Sequence, residues 1–498
     1  MPDRLAARVI VIGVGAGLVG QLLFFGQLVG VNWVIWIAAV IGASFVVRRS
    51  DVRLDRGDVW LPVAALAFAS FIGLREDPGL FLFDVFASSA LTLASVVAIG
   101  GLPVTRNTWH TIARLGGSSI AMFWVGAAQL VHGLRPLRAA APMFSGSSVS
   151  RRVGRGLAIA LPLLIVFVLL FAAADAVFQN LIRSALGFRV DLAEWVGRLV
   201  FALFVGWLFT GTLVAGWLSR DRFPASASGV TATGTPRTRP LTPVEAITVL
   251  LTLDALFAIF VIIQAAYLFP GVDPLAASGL TYAEYARRGF FELVVVAVIS
   301  GLVILALDWL IDRATLTYRL AAAGLVAMTG AVLISAAVRL GIYQQVYGWT
   351  ELRLYVLAAI GLLAFGVAVM LAAIAFGRVQ AVPKLVLAAG FTIAFACNVI
   401  GPQSFVTAQN LQRAANPALV PADGKSGLDT DYLAGLDADV IPLLVAGRGG
   451  LPAGEHDRVN VLLQSAASEL RRQAQDVGWP SWNLSRQAAL DALTAAGF

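Results

Sequence analysis

The chain has 498 residues, 59% of them hydrophobic and only 13% charged, with a mean hydropathy of +0.82. Roughly 25% charged residues is usual for soluble globular domains, so an ordinary soluble enzyme or binding module is excluded. The net charge of +7 is almost all arginine in loops, where it sets membrane orientation. No basic stripe interleaved with aromatics points to nucleic acid.

Apolar runs near twenty residues recur, each long enough to cross about 30 Å of hydrocarbon as a helix. They are continuous rather than alternating, which argues against a β-barrel. The predicted fold is all-α, a polytopic helical membrane bundle. Arg4 and Arg8 precede the first apolar stretch as in a signal-anchor, and no small-x-small cleavage site follows, so that segment is expected to be retained. Leu5 to Val47 is too long for one span and is interrupted at Gly26 and Gly30–Asn32, which predicts spans over 6–25 and 31–47. The arginine-rich loop 48–58 leads to spans at 59–74 and 81–99, separated by the acidic turn Arg75–Pro78. Segment 109–134 is apolar but flanked by arginine on both sides, so it reads as an interfacial or re-entrant helix. Further spans are predicted at 157–178, 195–218, 244–269, 290–311, 320–342, 354–376 and 385–401, with a flexible small-residue linker at 219–243.

With a cytoplasmic amino terminus and eleven crossings, 21 Lys and Arg fall in cytoplasmic segments, eight in or beside outer ones and seven in the carboxyl-terminal tail. A twelfth crossing at 109–134 would strand loop arginines outside, so charge bias selects eleven and an extracytoplasmic tail. The tail, 402–498, regains Asp, Asn, Gln and Pro and carries helical patterns at 405–415, 431–444, 456–477 and 484–493. Four regions follow: a four-span region over 1–108, the interfacial helix and basic loop over 109–156, a seven-span core over 157–401, and a small helical extramembrane domain over 402–498.

Few strings could carry chemistry. Gly15-Ala-Gly17-Leu-Val-Gly20 matches G-x-G-x-x-G, but no strand precedes it and no acidic partner follows. Close helix packing is the stronger reading, since Gly13 and Gly17 also form G-x-x-x-G. His110, His132 and His456 are scattered, and Cys397 is the single cysteine. No metal site, cofactor or intramolecular disulfide is expected. No phosphate-binding loop and no nucleophile elbow occurs.

Ionisable residues in spans are the informative signal, because each costs at least about 2.5 kcal/mol at mid-bilayer. Asp254 falls mid-span, where it must be protonated, bonded to Thr252, Ser300 or Ser335, or facing water. Thr281 and Glu284 make a capping box, after which Glu284, Arg288 and Glu292 ladder one helix face. The chosen topology brings Asp84, Asp175, Glu292 and Arg339 to the outer part of their spans, with Glu284, Arg287, Arg288, Glu351 and Arg353 just beyond. This polar collar beneath the tail is expected either to dock the tail or to line a vestibule.

The strings TYAEYARRGFFEL (281–293), RLGIYQQVYGWTELRLY (339–355), LPLLIVFVLLFAAADAVF (161–178), LDTDYLAGLDADVIPLL (428–444) and WNLSRQAAL (482–490) resemble a family of bacterial polytopic membrane proteins defined as a domain of unknown function. The resemblance runs from about Leu157 onward. It implies an integral protein of the bacterial envelope and attaches no activity. Its typical positions are Asp175, Tyr282, Glu284, Arg287, Gly289, Glu292, Arg339, Tyr343 and Arg353. The expected role is a non-catalytic inner-membrane scaffold or sensor whose tail meets an envelope protein. One rival is a secondary transporter with Asp254 as its proton or coupling-ion site. The other is an intramembrane enzyme using paired acids such as Glu284 and Glu292. The lipid bilayer is an expected partner, and the oligomeric state is left open.

Overall fold

The computed structural model describes residues 3–48, 54–105, 192–222, 243–268, 290–311, 314–421, 424, 427–476 and 478–498. Among these are fifteen α-helices and no strand, as the unbroken apolar runs require. The predicted spans at 109–134 and 157–178 lie outside the described residues, as does most of the 281–293 stretch. Among the described residues, six helices are long and apolar enough to cross a membrane: Arg56–Leu74, Pro78–Ile99, Gly197–Val214, Leu316–Tyr347, Glu351–Phe376 and Val379–Ile400. The chain divides into two compact units, one of Met1–Leu74, Asp84–Gly229 and Asp476–Asn483, the other of Arg75–Phe83, Val230–Gln475 and Leu484–Phe498.

The first unit contains α1 (Asp3–Phe24), α2 (Val31–Val47), α3 (Trp60–Leu74), α4 (Pro78–Ile99) from Asp84 on, and α5 (Leu192–Arg222). Glycine decides how α1 meets α5. A Cβ on Gly17 would stand 2.4 Å from the Ala202 carbonyl, and one on Gly206 would stand 2.7 Å from the Gly13 carbonyl. The G-x-G-x-x-G string therefore serves helix contact, which only residues without side chains permit. Trp36 fills the space beside this seam, edge-on to Phe24 and Phe209. Two polar groups buried here, Asn32 and Asp58, are fully engaged. Asn32 donates to the Leu23 and Leu28 carbonyls and accepts from the Gly30 and Trp33 amides. Asp58 accepts from the Val104 amide and from the amide and hydroxyl of Thr105.

The second unit is built on α8 (Leu316–Tyr347), which packs against α6 (Pro243–Leu268), α7 (Phe290–Leu310) and α9 (Glu351–Phe376). At 32 residues α8 exceeds the roughly 20 needed to span hydrocarbon, so its ends carry polar side chains. Thr315 caps its amino end by accepting from the Tyr318 amide. Gly348 ends it at φ +79°, a left-handed conformation that favours glycine. Only 22% and 11% of the apolar windows in Glu351–Phe376 and Val379–Ile400 are buried. Hydrocarbon, not water, suits the faces left over.

After α10 (Val382–Ile400) the composition turns polar and the helices shorten: α11 (Pro402–Ala415), α12 (Thr430–Ala434), α13 (Ile441–Gly447), α14 (Ala453–Asp476) and α15 (Leu484–Ala495). Each predicted tail helix falls on one or two of these. Their apolar stripes meet in a core of their own around Leu433, Val440, Leu444, Val459, Leu463 and Leu493.

Candidate functional site

The densest polar grouping among the described residues lies in the second unit, where the loop Arg75–Asp77 meets the ends of α9 to α11 and the 437–439 turn. Its construction starts at Asp77, which precedes Pro78 at the first position of α4. The Asp77 carboxylate accepts from the Gly79 and Leu80 amides at 2.9 and 3.2 Å, the bonds an N-cap aspartate makes. It also accepts from the Tyr355 hydroxyl at 2.9 Å. Gln403, on the first turn of α11, is matched to Asp437 at both ends. Its Nε2 donates to Asp437 Oδ2 at 3.1 Å and its Oε1 accepts the Asp437 amide at 3.0 Å. Arg75 donates to the Val399 carbonyl at 2.9 Å and pairs with Asp439 at 3.8 Å. A Cβ at Gly401 would fall on its guanidinium, and Gly401 has φ +72°; both facts require glycine there. Glu76 pairs with Arg486 at 3.5 Å, and its amide donates to Asp439 at 3.3 Å.

Five carboxylates thus share one place. Glu76 lies within electrostatic reach of Asp437 and Asp439, and Glu351 within reach of Asp77, Asp437 and Asp439. Arg75 and Arg486 are the cations paired to them. Burial holds the Glu76 carboxyl above its ordinary range; Arg486 opposes that shift, and Asp437 and Asp439 add to it. Asp77 is also pushed up by burial, against the pull of Tyr355 and the two cap amides. Asp437 is raised by burial, eased by Gln403 and raised again by Asp439. Such an arrangement takes up protons more readily than separate carboxylates would. Among the described residues, no group of three His, Cys, Asp or Glu side chains is placed to hold a metal ion.

Next to the acids, the turn 348–350 between α8 and α9 is held from the carboxyl-terminal side. Asn410 accepts the Trp349 amide and donates to the Trp349 carbonyl, both at 2.9 Å. Arg413 donates to the Gln345 and Val346 carbonyls, two acceptors that the end of α8 would otherwise leave open. Phe405 meets Trp349 edge-on at 5.3 Å. The Tyr432 hydroxyl accepts the Glu351 amide at 2.9 Å.

Of the residues singled out in the sequence, Tyr343, Glu351 and Arg353 come together here. The Arg353 guanidinium stacks 4.2 Å above the Tyr343 ring and bonds the Gly348 carbonyl. Arg339 lies half-buried two turns before the end of α8. Asp84 is buried in α4 and belongs to the first unit. Asp175, Glu284, Arg287 and Arg288 lie outside the described residues, and Glu292 sits on α7 with its side chain outside them. Asp254 is elsewhere, on α6. Its carboxylate would stand 3.6 Å from a Cβ at Gly324 of α8, and its buried Oδ1 has no hydrogen-bond partner among the described residues. Two of the hydroxyls considered for it, Thr252 and Ser300, donate instead to carbonyls of their own helices.

The sequence reading missed Asp77, Tyr355, Gln403, Asp437, Asp439 and Arg486 as members of one site. Two signals were present: Asp-Pro-Gly at 77–79, which announces a cap, and Asp-x-Asp at 437–439.

Apolar helices on this scale fit a helical membrane protein. The chain belongs to the family described as Domain of unknown function (DUF4153), whose model matches residues 35–447. The match begins in α2, well before Leu157, and ends with α13, so the 482–490 string lies beyond it. No curated protein and no solved structure matches the chain.

Proposed function

We propose that this protein is a non-catalytic scaffold or sensor of the bacterial inner membrane. Its amino terminus is cytoplasmic, and the helices from 402 onward form an extracytoplasmic domain that meets an envelope partner. The observation that carries the reading is the hold on the α8–α9 connection: Asn410 bonds the Trp349 backbone, Arg413 the Gln345 and Val346 carbonyls just before the turn, and Tyr432 the Glu351 amide just after it. Contacts of this kind fix a domain to a membrane helix pair. Eleven crossings put this junction on the outer side.

The test is a pair of reporters fused after Phe498, one active only outside and one only inside the cytoplasm, combined with deletion of 402–498. Activity of the outer reporter together with loss of the cellular phenotype on deletion supports the proposal. A cytoplasmic signal removes the outward-facing domain, and an unchanged phenotype removes its role.

Asp254 favours a second reading, as a proton or coupling-ion site of a transporter. A buried carboxylate oxygen with no bonding partner among the described residues is costly in a membrane helix unless a proton or ion satisfies it. Asp254→Asn should then abolish a proton- or sodium-dependent flux in vesicles while the protein stays folded. An unaltered flux rejects that assignment.

A further inference from the structure

We propose that the cleft between α12–α13 and α14 is a docking groove for a cationic amphipathic helix of a partner protein; this deepens the scaffold reading and rests on it. The cleft encloses about 1000 Å³. Its long wall is two adjacent lanes of α14, Asp457-Val461-Ser465-Glu469-Gln473 and Arg458-Leu462-Ala466-Leu470, each at four-residue spacing. Four-residue spacing keeps a lane on one helix face, and the two lanes run roughly 24 Å at 1.5 Å per residue. That length accepts about four turns of a second helix.

The floor is apolar. Leu462, Ala466 and Leu470 face Leu436 and Ile441 across the cleft, and Val461 on the rim is 64% exposed. An exposed valine between an apolar floor and a charged edge has the form of a helix-in-groove receptor, where apolar anchors at i, i+3, i+4 and i+7 enter the floor. The edge decides the sign of the partner. Asp431, Asp437, Asp457, Glu469 and Glu76 line the cleft, with Arg458 the one arginine, and no lysine, among the described residues that line it. Glu469 is matched by Arg472, and Glu76 by Arg486. Among the described residues, Asp431, Asp437 and Asp457 pair with no Arg or Lys. Lysine or arginine on the flanks of an incoming helix would meet these carboxylates while its leucine face fills the floor. Charge complementarity of this kind sets specificity and association rate. An acidic or neutral helix would gain the floor and lose the rim.

The test uses the full chain in uncharged maltoside micelles, with a fluorescein-labelled 16-residue Leu/Lys amphipathic helix as the probe. A second peptide carries Glu in place of Lys, and spermine serves as a cation without an apolar face. Saturable binding of the Leu/Lys peptide is expected, at least tenfold tighter than the Leu/Glu peptide. The triple change Asp431→Asn, Asp457→Asn, Glu469→Gln should weaken it at least tenfold. Asp457 is 83% exposed and Glu469 49% exposed, so neutralising these two costs the fold little. Val461→Lys, at an exposed site, should weaken binding at least fivefold and decides the matter if the triple variant fails to fold. Equal affinity for both peptides overturns the proposal. So do full displacement by spermine at matched charge, which would leave a polycation site, and a triple variant within twofold of wild type. Because micelles impose no sidedness, the peptide titration and the reporter fusions can fail separately, and the two failures are told apart.

Discussion

Asp58 in the first unit and Asp437 in the second are both carboxylates drawn out of bulk water, and their surroundings differ in kind. Asp58 is fully buried and faces three donors. Asp437 faces one side-chain amide donor, from Gln403, and a field of other carboxylates. A buried carboxylate satisfied by fixed donors strengthens the fold. One held among like charges is conditional on protons. The same contrast separates Asn32, all of whose bonding capacity is engaged, from Asp254, whose Oδ1 has no hydrogen-bond partner among the described residues. Asp58 and Asn32 are structural, whereas Asp437 and Asp254 leave room for regulation or binding.

That contrast can be broken most forcefully at Asp58. Asp58→Ala orphans two amides and a hydroxyl, and at 1–3 kcal/mol per buried unsatisfied group it should cost roughly 3–5 kcal/mol, read as a lower melting temperature in detergent. A loss under 1 kcal/mol would show that the Val104–Thr105 segment finds other acceptors. Next comes the glycine seam. Gly206→Leu meets backbone at 2.7 Å, and about 2–3 kcal/mol of destabilisation is expected because helix backbone cannot yield as a side chain can; a tolerated leucine would refute the close approach of α1 and α5.

Smaller effects belong to the second unit. Asn410→Ala removes both bonds to Trp349 and should cost about 1–2 kcal/mol, whereas Tyr432→Phe, losing one bond to the Glu351 amide, should cost about 1 kcal/mol. Chemical denaturation monitored by far-ultraviolet circular dichroism would rank them. The smallest effect is the pH dependence. Glu76, Asp77 and Asp437 have folded values raised above their unfolded ones, so the folded state binds more protons. Stability then rises as pH falls through the raised values and is fully gained below the unfolded ones. Melting temperature should increase from pH 8 toward pH 5, and Asp437→Asn should flatten that slope. A wild-type slope of the opposite sign would mean that the cap amides and Arg486 outweigh burial.

Much of the fold was legible because a span is announced by local composition alone. Every predicted span among the described residues coincides with a helix to within a few residues, and Gly13 and Gly17 were readable as contact residues from their spacing. The junction was legible only in part. Glu351, Arg353 and Tyr343 stood out because they sit at helix ends in an apolar chain. Asp77, Gln403 and Asp437 come from segments more than 300 and more than 30 residues apart, each polar in a polar stretch, and no local pattern says that they meet. Burial, not residue type, makes them unusual, and burial at a junction is a property of the assembled chain.

The most direct measurement is the distance distribution between spin labels at Leu352 on α9 and Val461 on α14, taken across pH in a Cys397→Ser background. Both positions are exposed, at 61% and 64%. If the carboxyl-terminal helices are clamped to the α8–α9 turn over a proton-dependent junction, one narrow distribution should hold at pH 5.5 and broaden as pH rises toward 8.5. A distribution equally broad at every pH would contradict the clamp, and one equally narrow would contradict its dependence on protons.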